Sequence, residues 1–266
     1  MRAAPPALLR LLLLGALALG VLAPLLVLLV ASVGHAWFWP ALLPPELTGE
    51  SWRAALAPRA RLGAAAATSV GLAFGTGLVS MVLALPIGRA LARLRGPWRH
   101  VAAGLAFLPV AAPPIALGIG LQVTLLSIGL GGTAAGVLLA HSVPAVGYGA
   151  LYLLGALSAY DERVEDAART LGAAPRQVLR HVTLPLLRRP LLEVFALAWL
   201  VSWAQVPLTL LVGAGAVRTL PVEVLSFVSA GQDRWASTGA LLLVAPALVA
   251  LAALRVAVRR TAAVAL

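Results

Sequence analysis

Six long apolar segments that carry almost no charge constrain this fold more than any other feature of the sequence. A helix needs roughly 20 apolar residues to cross about 30 Å of hydrocarbon, and each segment is long enough. The segments run from about Leu8 to Val33, Leu62 to Gly88, Val101 to Leu126, Thr133 to Leu157, Leu191 to Gly213 and Ala236 to Val258. The sequence therefore predicts an all-α, polytopic membrane protein with about six transmembrane helices.

Composition excludes several other classes of protein. The chain is 61% hydrophobic and 11% charged, whereas soluble domains average about 25% charged residues. Its net charge of +11 is compatible with nucleic-acid binding, but the basic residues lie in short loops beside the apolar segments, as in membrane proteins. We therefore predict no nucleic-acid partner. Because the chain has no cysteine and four widely separated histidines, we also predict no disulfide, metal site or cofactor.

Three of the segments carry additional local signals. The first could be a signal peptide with a small-residue site at residues 34–36, but its apolar core exceeds the roughly 7–15 residues of such peptides, so a retained membrane helix is favoured. The second is rich in Gly, Ala and Ser, which allow helices to approach closely in lipid. The third contains Pro109, Pro113 and Pro114, which remove backbone donors and predict a kink or break.

Arginine predicts the orientation of the chain in the membrane. All 20 basic residues are arginine, and about three quarters of them lie near the termini, after the second segment or after the fourth. Because cytoplasmic loops carry an excess of basic residues, both termini are predicted to be cytoplasmic. The tryptophan-rich stretch from His35 to Arg61 is then external, where its aromatic side chains either anchor the membrane interface or dock an external partner.

Residues 158–189, which we call the charged loop, form the longest predicted cytoplasmic connection. Apolar residues recur at three- and four-residue spacing from Leu157 to Leu171, which predicts one amphipathic helix. Its opposite, solvent-facing side carries Asp161, Glu162, Glu165, Asp166 and Arg169. Such a helix can lie across the end of a bundle with its apolar side inward. From amphipathicity alone, a solvated connector that merely joins two spans is the alternative.

Glycine and proline predict how the charged loop is divided. Gly172 permits the left-handed turn that commonly ends a helix. Pro175 suits the first turn of a second short helix. Leu184 and Pro185 are predicted to end that helix and to turn the chain into the fifth apolar segment.

The spacing of these residues is similar to a known family pattern. Asp166, Ala167 and Ala168 are followed by three residues, Gly172, nine residues, Val182, one residue, and Leu184 with Pro185. This resembles the EAA loop of ABC-importer permeases, which is the surface of the membrane subunit that the ATPase binds. The family usually has Glu where this chain has Asp166, and the preceding Glu165 keeps the acidic character. The resemblance covers roughly Leu62 to Arg255, the five-span core of type I importer permeases.

The resemblance implies a MetI-like fold and a transport role in a bacterial inner membrane. The chain would be the permease subunit of an ATP-driven importer and would form the solute pathway. Its implied partners are a cytoplasmic ABC ATPase dimer, a second permease subunit (the same or homologous) and an external solute-binding protein. The implied ATPase-coupling residues are Glu165, Asp166, Ala167, Ala168, Gly172 and Pro185. With no lysine, the chain lacks a P-loop, so it is predicted to be a transport subunit and not an enzyme.

The same resemblance divides the chain into three parts. Residues 1–61 would be an amino-terminal transmembrane helix with an outer loop. Residues 62–258 would be the permease domain that contains the charged loop. Residues 259–266 would be a cytoplasmic tail.

Polar side chains inside the apolar segments are candidates for the solute pathway, because lipid disfavours them. The candidates are Gln205, Gln122, Ser202 and Thr209, with His141 and Ser142 as further polar residues. The alternative is that each bonds across helices or to backbone freed by a nearby proline. Gln205, beside Pro207, is favoured for the gate or pathway. Glu193 is expected to pair with Arg188 or Arg189.

The solute itself is not specified by the sequence. The run from Pro113 to Gly118, with Gly213 to Gly215 and Thr219 to Pro221, is similar to the branch that handles thiamine, ferric iron, polyamines and related small charged solutes. A stand-alone channel or secondary carrier is a competing function, but no inverted repeat is evident. An intramembrane enzyme is a second one, but no Ser/His or paired Asp constellation is visible.

Overall fold

Helices account for almost all of the regular structure. The computed structural model describes residues 7–38, 40–57, 60–158, 160–161, 163–246 and 248. The helices in chain order are α1 (Ala7–Val33), α2 (Glu50–Ala55), α3 (Arg61–Arg93), α4 (Pro97–Ala111), α5 (Pro114–Ser127), α6 (Ala134–Ser158), α7 (Arg163–Thr170), α8 (Pro175–Val178), α9 (Leu184–Trp203), α10 (Pro207–Gly213) and α11 (Leu220–Ser229). Leu179–Thr183 form a π-helical turn between α8 and α9, and residues 233–246 are also helical. The predicted all-α class is confirmed.

Three described helices are long and apolar enough to cross a membrane: Leu8–Val33, Arg61–Arg93 and Ala134–Ser158. Two helix pairs also qualify if each bent pair counts as one span, which gives up to five spans among the described residues. The predicted sixth segment is helical as far as residue 246, and its remainder lies largely outside the described residues. The predicted tail at 259–266, Glu162 and Trp39 also lie outside them.

Both bent pairs break beside proline. The break predicted in the third segment is confirmed, because α4 ends at Ala111 and α5 begins at Pro114 with a bend of 92°. The two adjacent prolines cannot donate the backbone hydrogen bonds that would continue α4. A second break, which we did not predict, separates α9 from α10 by 67° and precedes Pro207. The restricted backbone of the residue before a proline explains this position.

One compact unit comprises Ala67–Thr219. In it α6 packs against α4, α9 and α10, and α10 also packs against α5. A Cβ atom added at Gly88 would lie 2.7 Å from the Cβ of Leu153, so the close helix approach expected from small residues is present. Two groups of buried apolar residues form its core, one including Ala84, Leu153 and Val194 and the other including Val137 and Leu208.

A second unit comprises Met1–Ala66 and Leu220–Leu266. Two short antiparallel strands, β1 (Gly34–His35) and β2 (Glu46–Leu47), pair Gly34 with Leu47 after the end of α1. Ser51 and Trp52 of α2 donate hydrogen bonds to Ser32 of α1, at 2.7 Å to its carbonyl and 3.0 Å to its hydroxyl. These polar contacts hold α2 against α1.

Candidate coupling loop and membrane polar sites

The charged loop contains a shorter helix than its periodicity predicts. The expectation of one helix from Leu157 to Leu171 is wrong, since α6 ends at Ser158 and α7 begins at Arg163. The side chain of Asp161 accepts a hydrogen bond of 3.0 Å from the backbone N–H of Arg163. An aspartate in this position satisfies a free donor at a helix start, so it favours a new helix over the continuation of α6.

The face that α7 buries also differs from the prediction. Val164 and Leu171, expected to point inward, are 47% and 88% exposed, whereas Glu165, expected on the solvent side, is 1% exposed. The apolar spacing is therefore not what positions this helix. A single buried carboxylate does so, through polar partners on neighbouring elements.

Glu165 lies at the centre of a polar cluster that we call the Glu165 network: Arg89, Tyr160, Glu165, Arg169 and Thr183. Its carboxylate accepts hydrogen bonds from Arg89 of α3 at 2.7 and 2.5 Å. Thr183, the last residue of the π-helical turn, donates at 2.7 Å. Tyr160 and Arg169 each donate at 3.1 Å. One side chain of α7 thus binds both α3 and the chain that leads into α9.

The same partners keep Glu165 ionised. Burial opposes the charged form of this carboxyl, but the hydrogen bonds from Thr183 and Arg89, together with the charge of Arg89, outweigh it and lower the pKa of Glu165. Burial and the hydrogen bond to Glu165 raise the pKa of Tyr160, so its hydroxyl remains a donor. Removing one partner from a buried ion pair costs about 3–5 kcal/mol, because the other charge is left uncompensated.

Gly172 ends α7 as predicted. Its backbone has φ +86°, a left-handed conformation that a side chain with a Cβ disfavours. Its N–H bonds the carbonyl of Arg169 at 2.9 Å, and the N–H of Ala173 bonds the carbonyl of Ala168 at 3.1 Å. These two bonds are the Schellman arrangement of a helix C-terminus. No neighbouring atom lies within 4 Å of a Cβ added here, so only the backbone conformation requires glycine.

The second half of the charged loop is helical without interruption into α9. Pro175 opens α8 as predicted. The expectation that Leu184 and Pro185 end this helix is wrong, because Thr183 and Leu184 keep helical dihedral angles and Pro185 lies in the first turn of α9. The π-helical turn ends at Thr183, two residues before Pro185. It is wider than an α-helical turn, which relieves the clash between a proline ring and the preceding turn.

The outer surface of the loop is formed by other residues of the family motif. Asp166 is exposed and forms an ion pair of 2.6 Å with Arg169. Ala167, Leu171, Gly172 and Pro185 are also exposed, and Ala168 is half-buried. The adjacent acids Glu165 and Asp166 therefore face opposite ways, one into the protein and one toward solvent. Sequence reasoning missed Arg89, which directly follows the second apolar segment, and Thr183, which lies between Val182 and Leu184 of the family motif.

A buried polar cluster lies at the break between α9 and α10. His141 of α6 contacts the hydroxyl of Ser202 with Nδ1 at 2.8 Å and that of Thr209 with Nε2 at 2.9 Å. Thr209 also donates to the carbonyl of Gln205 at 3.1 Å. Because that bond uses the Thr209 proton, Nε2 of His141 is the donor and Nδ1 accepts from Ser202. Ser202 and Thr209 thus form hydrogen bonds across helices. Such bonding is the alternative, predicted from the sequence, to a role in the solute pathway.

Gln205 has a different environment from these two residues. It lines a cavity of about 150 Å³ with Tyr148 of α6, Val201 of α9 and prolines from the first break. The cavity lies where the α4–α5 and α9–α10 breaks meet α6. Gln122 is half-buried on α5 and does not line it. Of the four predicted pathway residues, Gln205 is therefore the one that lines this cavity.

Glu193 also departs from its predicted pairing. Its carboxylate accepts a hydrogen bond from the hydroxyl of Tyr152 on α6 rather than from Arg188 or Arg189. This contact joins α6 to α9 about two turns from Val201, at a rise of about 1.5 Å per residue.

The His141 cluster predicts a stability effect at Ser202. We expect Ser202→Ala to lower the stability of the detergent-purified chain by about 1–3 kcal/mol, because Nδ1 of buried His141 loses its partner. Thermal unfolding measures this loss. Ser127→Ala is the matched control, since the Ser127 hydroxyl is exposed and bonds only the Thr124 carbonyl of its own helix. Equal stability of the two variants would contradict a structural role for Ser202.

Comparison with known proteins defines the class to which this fold and loop belong. The family model for binding-protein-dependent transport system inner membrane components matches residues 84–263. The chain therefore belongs to this family, and it is an inner-membrane permease subunit of an ABC importer. Its fold is also similar to a solved chain of a bacterial ABC transporter involved in the import of alginate, with a TM-score of 0.68 and 17% identity over 96% of this chain and 99% of that one.

Relatives of this chain are permease proteins named for different solutes. The molybdenum transport system permease protein ModB of Mycobacterium tuberculosis is 33% identical over 198 residues, 69% of this chain and 75% of the relative. A permease protein named for 2-aminoethylphosphonate transport in Salmonella typhimurium is 27% identical over 220 residues, 79% and 78% of the two chains. The spermidine/putrescine permease protein PotC of Haemophilus influenzae is 26% identical over 63% and 65%.

Proposed function

We propose that the charged loop receives the motion of a separate cytoplasmic ABC ATPase dimer and passes it to the transmembrane helices. The observation that carries this proposal is the Glu165 network. A loop that merely joined two spans would not need a buried carboxylate bound to α3 and to the turn before α9. The five hydrogen bonds to Glu165 give the loop a mechanical connection to both helices.

The two faces of the loop have separate tasks in this proposal. The outward residues Asp166, Ala167, Gly172 and Pro185 contact the ATPase, where small side chains permit close approach to a groove. Ala168 is half-buried beside Ala167, and its small side chain also permits close approach of the ATPase. Glu165 acts on the inner face and does not contact the ATPase. When ATP binding closes the ATPase dimer, displacement of α7 reaches α3 through Arg89 and α9 through Thr183.

The assembly that this mechanism requires contains further subunits. We propose a second permease copy or homologue, an external solute-binding protein, and cytoplasmic positions for both termini and for the charged loop. Residues 1–61 then supply an amino-terminal helix and outer loop, and residues 62–258 supply the permease domain. The arginine distribution and the family description of a binding-protein-dependent system support this arrangement.

The solute pathway is proposed to pass the cavity beside Gln205. Helix breaks in lipid are tolerated where they line a cavity or are covered by protein, and two breaks meet at this cavity. Gln205 contacts the solute or forms the gate there. Gln122, which does not line this cavity, contacts the solute at another position on α5. The solute is small and charged, of the kind exemplified by thiamine, ferric iron or polyamines. The names of the relatives, which include spermidine, putrescine and 2-aminoethylphosphonate, support this class.

A cysteine crosslink tests the coupling role of the charged loop directly. The chain has no cysteine, so Ala173→Cys introduces a single reactive site beside Gly172. We expect crosslinking in native membranes to capture an ATPase subunit, with a yield that changes when ATP is added. Leu42→Cys is the control, because Leu42 is 83% exposed in the predicted external stretch and should capture no ATPase. Absence of any cytoplasmic partner at position 173 would favour the solvated connector.

A further inference from the structure

A single acidic side chain lies inside the candidate membrane spans among the residues that the structure describes. The sequence has nine acidic residues, and Glu193 alone falls within the described helices and helix pairs that are long enough to cross a membrane. A carboxylate within hydrocarbon is costly, so such residues face a protein interior or a water-filled path and usually have a functional role. Glu193 is nevertheless exposed on the single chain. The side of α9 that carries it is therefore unsuited to contact lipid.

The partners of Glu193 connect it with the cavity beside Gln205. Tyr152 donates its hydroxyl to Glu193, and Tyr148 lies one turn away on the same helix, about 6 Å along its axis. Tyr148 lines the cavity together with Val201, which lies two turns beyond Glu193 on α9. Tyr148 and Tyr152 are 38% and 40% exposed, so both aromatic side chains remain accessible. We call Tyr148, Tyr152 and Glu193 the tyrosine–glutamate row.

The chemistry of this row selects for positive charge. An ionised carboxylate accepts hydrogen bonds and donates none, so it suits an N–H donor with positive charge. The faces of tyrosine rings attract ammonium groups through their quadrupole. Arg188 and Arg189 are one turn before Glu193, but its carboxylate accepts its hydrogen bond from Tyr152 of α6. An oxyanion would meet a like charge at the same place.

We propose that the tyrosine–glutamate row is a subsite of the solute pathway and binds the ammonium group of a small cationic or zwitterionic solute. This proposal rests on the proposed pathway beside Gln205 and specifies the substrate class of that pathway. The row would hold the ammonium group at Glu193 while the rest of the solute lies toward Tyr148 and the cavity. Neutralising Glu193 removes the charge and preserves the acceptor for Tyr152.

Spermidine is a suitable probe for this subsite, and molybdate is the matched anion. The full chain in lipid nanodiscs is titrated with each by isothermal calorimetry. We expect the wild type to bind spermidine in preference to molybdate, and Glu193→Gln to weaken spermidine binding by about tenfold or more. Glu46→Gln, which removes an exposed acid outside the spans, should leave binding unchanged. Monodisperse elution establishes that each variant is folded.

The outcomes separate this proposal from the coupling proposal. Equal spermidine binding by the wild type and Glu193→Gln contradicts the subsite, as does a wild type that prefers molybdate or binds neither probe. Tyr152→Phe supplies a second variant, and it should weaken spermidine binding less than Glu193→Gln because its ring remains. The ATPase crosslink at Ala173→Cys should persist in the Glu193→Gln background. Unchanged spermidine binding by Glu193→Gln together with a retained crosslink rejects this inference alone and leaves the coupling proposal standing.

Discussion

Reversing one charge of the Arg89–Glu165 pair is expected to reduce uptake more than tenfold, and exchanging the two charges is expected to restore part of it. Each single change, Arg89→Glu or Glu165→Arg, places two like charges in a site where the carboxylate is 1% exposed. Breaking a buried pair costs about 3–5 kcal/mol, which is ample to release α7 from α3. The exchanged pair attracts again, although Arg169 then faces a like charge and limits recovery.

The measurement compares uptake, ATP hydrolysis and the crosslink at Ala173→Cys, each per inserted molecule. Single reversals should lose uptake while the protein remains in the membrane, and the exchanged pair should regain both uptake and the nucleotide-dependent crosslink. Rescue by the exchange is a readout that a general loss of stability does not give. Arg95→Glu is the control, because Arg95 is exposed just beyond the end of α3. If a variant with one reversed charge is inserted in the membrane and still shows wild-type uptake, the Arg89–Glu165 pair has no part in coupling.

The structure distinguishes what one sequence can predict from what it cannot. Long apolar segments, the break at Pro113 and the turn at Gly172 depend on local chemistry, and all three were predicted. The inward orientation of Glu165 depends on Arg89, which lies 76 positions earlier in the chain. Nothing in the periodicity of α7 indicates that a guanidinium from another helix will be within reach. The apolar stripe was therefore the best local signal and the wrong one.

The end of the helix that begins at Pro175 was also predicted wrongly from local rules. Proline is disfavoured inside a helix but accepted in its first turn, so Pro185 fits both the end of one helix and the start of the next. The π-helical turn before it joins the two, and it ends in the buried Thr183 that donates to Glu165. A π-turn has no clear sequence signature, yet here it contributes a residue to the network that the proposed mechanism uses.

Substituting Gly172 by valine is expected to leave the protein inserted and ATP hydrolysis intact while uptake falls about tenfold. At φ +86° a side chain with a Cβ costs roughly 1–2 kcal/mol, and a β-branched residue is among the least tolerant. Since nothing lies within 4 Å of the added Cβ, the strain is confined to the Schellman turn after α7. The outward residues after this turn, which include Pro185, would then change their position relative to α7 and Glu165.

Two comparisons distinguish this uncoupling from simple destabilisation. Asn tolerates the left-handed conformation, so Gly172→Asn should retain most of the uptake. Gly129, with φ +75° and no atom within 4 Å of an added Cβ, lies between α5 and α6 outside the charged loop. Gly129→Val therefore introduces similar backbone strain away from the coupling surface and should preserve the ratio of uptake to ATP hydrolysis. If both valine variants lower that ratio equally, the turn at Gly172 has no special part in coupling, because strain anywhere in the chain would then suffice.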